Sequence, residues 1–123
     1  MGAQWAVRVA WWMLAAIHLP PAMTLVQPSL IERLYRVDAA GTTGVLLRHR
    51  GALFAAMVVL SVCASVDPAC RRAAVLAVAV SMVGFLAISL RPGVLSGPLR
   101  TIVLTDAVGL LPLAFVAWAA FRA

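Results

Sequence analysis

The chain has 123 residues, is 64% hydrophobic and 11% charged, and carries a formal charge of +6. A mean hydropathy of +1.03 and several apolar runs long enough to cross about 30 Å of hydrocarbon exclude a soluble domain and predict an integral membrane protein. All ten basic residues are arginine, against four acids; they punctuate the ends of apolar runs instead of forming one stripe, which argues against nucleic-acid binding and fits anchors facing lipid headgroups.

The first predicted span covers about 5–26. His18 lies within it, followed by Pro20 and Pro21. The prolines lack the amides that would bond the carbonyls of Ala16 and Ile17, and free carbonyls at membrane depth must be met by protein or by water in a cavity. His18 is therefore expected beside a kink, either hydrogen-bonded within the helices or serving as a ligand or proton-relay residue. Arg8 is the one early charge, which suits an uncleaved first helix better than a signal peptide.

A short amphipathic helix over about 28–38 follows, with Leu30, Ile31, Leu34 and Val37 at helical spacing opposite charged positions; it is expected to lie in the interface. The second span, about 46–66, opens on Arg48-His49-Arg50. Asp67-Pro68 and Arg71-Arg72 form a turn into the third span, about 73–90, and Arg91-Pro92-Gly93 through Gly97-Pro98 to Arg100 lead into the fourth, about 101–121. Asp106 is the one acid inside any of these apolar runs. Arg33, Arg36, Arg91 and Arg100 are read as headgroup anchors.

Four spans joined by short turns predict an all-α, up-down-up-down membrane bundle, a single domain over 1–123, with both termini on one face, the near side. Trp5, Trp118 and Phe121 then share the near-side interface. Arginine counts give a slight lean to termini outside. The far side gathers His18, Arg48, His49, Arg50 and Asp106 into one polar cluster. Arg48 and Arg50 lie about 200° apart around a helix, so one alone faces inward. Arg48 shares its face with Gly51, Ala52 and Ala55, small residues that admit a neighbouring helix, and is assigned to the interior as the partner of Asp106. Arg50, beside Leu53, Phe54 and Met57, is assigned to the lipid. The pair is read as a structural lock between helices or as a substrate or proton-transfer site.

No metal site is expected, since Cys63 and Cys70 belong to the near-side turn and the histidines to the far side. The cysteines are read as free thiols that would pair if the near side faced an oxidising compartment. No cofactor is expected. No glycine-rich phosphate loop, serine elbow or paired-carboxylate motif is present, so the chain is read as non-enzymatic.

Ile17-His18-Leu19-Pro20, Leu34-Tyr35-Arg36-Val37, the block from Leu46 to Phe54, and Val103-Leu104-Thr105-Asp106 together resemble a family of small uncharacterised bacterial four-helix integral membrane proteins. The resemblance spans nearly the whole chain. Members of that family often carry the label phosphopantetheine adenylyltransferase, but the Thr/His-x-Gly-His phosphate motif that chemistry uses is missing here. The resemblance implies a multi-pass protein of the bacterial inner membrane and supports a role for His18, Arg48, His49, Arg50 and Asp106. Minimal loops and small-residue helix faces favour an accessory or assembly subunit of a larger membrane complex, with membrane lipids and other subunits as partners. The alternative is a binding or transfer protein for a lipid, quinone or other hydrophobic small molecule, whose polar head meets the Arg/His/Asp cluster.

Overall fold

A computed structural model describes residues 1–122. Helix α1 spans Gly2–Met23, α2 Ser29–Tyr35, α3 Gly41–Val66, α4 Arg71–Ile88 and α5 Arg100–Arg122, with single 3₁₀ turns at Pro68–Cys70 and Val94–Ser96. No strand occurs among the described residues. Three helices are long and apolar enough to cross a membrane: α3, α4 together with its preceding turn, and α5. Helix α1 is as long, at 22 residues, but Arg8, His18 and the two prolines hold its apolarity below that of the others.

Helix α3 begins at Gly41, five residues before the expected start of its span. Gly41-Thr42-Thr43-Gly44 is too polar to register as a membrane run, yet it has no proline to stop a helix. Gly44 fits closely there, because a Cβ at this position would collide with the backbone of Ala39. The interfacial segment is shorter than expected. It ends at Tyr35, where Arg36 turns left-handed at φ 53°, a conformation that costs a non-glycine residue. Val37 therefore falls outside the helix, and Ile31 and Tyr35 form its buried face.

One apolar core joins Trp11 and Leu14 from the middle of α1, Ala64 from the end of α3, Val78 and Met82 from α4, and Val116 from the second half of α5. At the same end, the Arg71 guanidinium donates to the Ala64 carbonyl at 3.0 Å and that of Arg72 to the Ala120 carbonyl at 3.1 Å. Cations placed on helix C-terminal carbonyls satisfy acceptors that have no partner within the helix. Cys63 and Cys70 are joined across this turn as a disulfide, with Cα atoms 6.3 Å apart, which corrects the free-thiol expectation. Seven residues that read as separate in the sequence are folded back by Asp67, whose side chain accepts from the Ala69 amide at 2.9 Å.

Helix α1 packs along α3 at Gly51, where a Cβ would collide with the Thr24 hydroxyl and lie 3.0 Å from the Leu25 amide. Gly51→Val is expected to lower thermal stability in detergent by about 1–3 kcal/mol, the usual cost of overpacking. Gly84→Ala, where a Cβ meets nothing within 4 Å, is the control and is expected to leave the melting temperature unchanged. Equal effects at the two sites would show that the contact at Gly51 is not tight.

Candidate functional site

At the opposite end from the apolar core, α1 reaches its two prolines, α3 its first turns and α5 its first turns, with α2 folded against them. A cavity of about 170 Å³ lies there, bounded by Ile17, His18, Pro20 and Pro21 of α1, Leu34 and Tyr35 of α2, Arg50 and Phe54 of α3, and Thr101, Ile102, Thr105 and Asp106 of α5. Its position follows from the sequence: Pro20 and Pro21 interrupt the hydrogen-bond ladder of α1, and both line the cavity beside His18.

His18 is 1% exposed. Its Nδ1 lies 2.7 Å from the Leu14 carbonyl oxygen, and because a carbonyl only accepts, Nδ1 carries the proton. Nε2 is buried and has no hydrogen-bond partner. In the neutral ring, that atom presents a lone pair. The imidazole also rests 5.7 Å from the Phe54 ring, centroid to centroid.

Asp106 is 8% exposed and, among the described residues, makes no hydrogen bond or ion pair. Its carboxylate lies within electrostatic reach of His18 first and Arg50 second. The Arg50 guanidinium sits over three rings, 5.0 Å from Phe54, 5.1 Å from Phe85 and 5.7 Å from Tyr35. Such stacking holds a cation in apolar surroundings without neutralising it. Tyr35 completes the wall. Burial pushes its phenol above the ordinary range, with Arg50 opposing and Asp106 adding to that effect, so the hydroxyl stays a donor at neutral pH.

The expected pairing of Arg48 with Asp106 is corrected. Arg48 is exposed and donates to the Leu25 carbonyl at 3.2 Å, just past the end of α1, where helix-terminal carbonyls attract a cation. The face it shares with Gly51 does meet α1, but α1 stops at Met23 and leaves Arg48 beyond it. Arg50, assigned to lipid, is the arginine that turns inward, because α2 and α4 supply rings to cover its face. His49 is exposed and outside the cavity, as are the anchor arginines Arg33, Arg36, Arg91 and Arg100. Of the five residues expected at the far side, His18, Arg50 and Asp106 line the cavity, Arg50 against its assignment to lipid, and Tyr35, read only as part of the interfacial segment, lines it as well.

Arg50 and Phe54 also end a second, larger space. A groove of about 690 Å³ runs between α3 and α4, walled by Leu53, Met57, Leu76, Val80 and Ile88. One guanidinium therefore borders both a polar cavity and an apolar groove.

These features define an all-helical protein with three helices able to cross a membrane and a largely apolar cavity with a few polar side chains at the end away from its termini. Compared with known proteins, the chain matches no family model, no curated protein and no solved structure. The family resemblance rests on the residue blocks quoted for it.

Proposed function

We propose that this is a multi-pass protein of the bacterial inner membrane, an up-down-up-down bundle of α1, α3, α4 and α5 with α2 at the far-side interface, and that it binds the polar head of a hydrophobic small molecule. The observation that carries the reading is His18 Nε2, a polar atom buried without a partner beside a cavity that Arg50, Asp106 and Tyr35 also line. Unpaired buried polar groups are costly, and apolar pockets with a few convergent polar groups are the usual form of a small-molecule site. Binding, retention and exclusion from water are the work assigned to these residues, with no reaction required.

The accessory-subunit reading differs in what travels with the protein. Purification from native membranes, followed by solvent extraction, is expected to yield the protein with a stoichiometric hydrophobe. Asp106→Leu is expected to lose that molecule and Arg48→Met to keep it. Stoichiometric capture with a larger complex and nothing extractable would overturn the binding reading in favour of the accessory one.

A further inference from the structure

The cavity's size and hydrogen-bonding chemistry specify more than a generic amphiphile. About 170 Å³ is close to the roughly 150 Å³ that holds a single benzene ring in an apolar protein interior. A glycerophosphate head is larger than one ring and would set a full negative charge beside Asp106, which like-charge repulsion opposes. A hexose fits the ring size but projects hydroxyls around its whole rim, against walls that are mostly apolar. Ile17, Pro20, Pro21, Leu34, Phe54 and Ile102 present apolar surface suited to the faces of an aromatic ring.

The polar groups divide into two kinds. His18 Nε2, with the ring proton held on Nδ1 by the Leu14 carbonyl, and the Asp106 carboxylate are acceptors. Arg50 and the Tyr35 hydroxyl are donors, while the lining Thr105 hydroxyl gives its proton to the Thr101 carbonyl at 2.7 Å and is left as an acceptor, and the Thr101 hydroxyl can act either way. A ring bearing carbonyls offers lone pairs alone, and would leave the wall acceptors facing acceptors. A ring bearing hydroxyls can donate to His18 and Asp106 and accept from Arg50 and Tyr35. Arg50 and Phe54 also border the apolar groove between α3 and α4, which places a path for a tail next to the head site.

We infer that the occupant is an aromatic diol carried on a hydrophobic tail, the reduced form of a quinone-type lipid, with its ring in the cavity and its tail in the α3/α4 groove. The inference rests on the reading that this cavity receives the head of an amphiphile. It concerns binding and selection of the reduced form; no electron or proton leaves the ring.

The test uses the purified full chain, stripped of lipid and placed in nanodiscs, with decylhydroquinone kept under argon, the corresponding quinone, decyl glucoside and dioleoyl phosphatidylglycerol as probes for calorimetry. The hydroquinone is expected to bind at least about tenfold more tightly than the quinone, since a site built around hydroxyl donors rejects analogues that lack them. His18→Phe is expected to abolish that preference, and if this variant does not fold, the ratio measured on the unaltered chain decides. Gly84→Trp, which fills the groove, is expected to weaken decylhydroquinone and spare hydroquinone without a tail; equal weakening of both would overturn the tail's placement. Quinone binding as tightly as hydroquinone, or glucoside or phosphatidylglycerol binding best, with dependence on Asp106, would overturn the inference and leave the amphiphile reading standing. No Asp106-dependent binding of any probe would overturn both.

Discussion

Arg50→Met is expected to destabilise the detergent-solubilised protein by about 2 kcal/mol, the scale of a desolvated cation stacked on aromatic rings, while Arg48→Met leaves stability nearly unchanged. The contrast follows from position. Arg50 touches the rings of Tyr35, Phe54 and Phe85, borders both cavities and is a cation that Asp106 feels. Arg48 makes an exposed bond to Leu25, and water replaces such a bond at little cost. Removing Asp106 together with Arg50 is expected to recover part of the loss, because an incompletely hydrated carboxylate without a hydrogen-bond or ion-pair partner is itself a cost to the fold. Thermal unfolding of the two single variants and the double variant checks this. Greater damage from Arg48→Met would return that residue to the interior and dismantle the site.

Asp106→Leu is expected to do the opposite to stability and the most to binding. The carboxylate of a residue that is 8% exposed and makes no hydrogen bond or ion pair among the described residues gives up part of its hydration with no protein group replacing it. Leucine in its place is expected to raise the stability of the lipid-stripped protein by about 1–3 kcal/mol, the penalty of an unsatisfied buried polar group. The same change is expected to eliminate retention of the bound molecule. Stripped protein is essential to the comparison, since a ligand bound to the native state stabilises it by mass action. A residue whose removal strengthens the fold and abolishes binding serves the site rather than the architecture. Destabilisation of about 3–5 kcal/mol instead, the mark of a broken buried pair, would make Asp106 a structural partner of Arg50 or His18.

The long helices were legible because apolar runs bounded by Asp67-Pro68 and Arg91-Pro92-Gly93 admit little else. His18 and Asp106 were expected at one depth from alternating helix directions, and both line the cavity. Which arginine turns inward was not. Arg48 shares its face with the small residues that meet α1, and the pattern alone gave no sign that α1 ends at Met23 and leaves that arginine beyond its last turn. Nor does a helical pattern announce that Tyr35 and Phe85, from two other helices, will cover the face assigned to lipid. Tyr35 itself was hidden in a segment read as an interfacial anchor, although its burial makes it part of the cavity wall. The Cys63–Cys70 pairing depended on the 3₁₀ turn at Pro68–Cys70, which folds two positions seven apart back onto each other.

His18 Nε2 is expected to meet the polar head of a bound hydrophobe. The chain holds two histidines, His18 and His49, so histidine-selective ¹⁵N labelling gives each imidazole its own resonances, with exposed His49 as an internal control. Spectra of the stripped protein in nanodiscs are recorded before and after the native lipid extract is restored. The expected result is a shift of the His18 Nε2 resonance on rebinding, with His18 Nδ1 still protonated and His49 unmoved. A His18 Nε2 resonance that stays in place while the extract demonstrably rebinds, or a shift confined to His49, would contradict it.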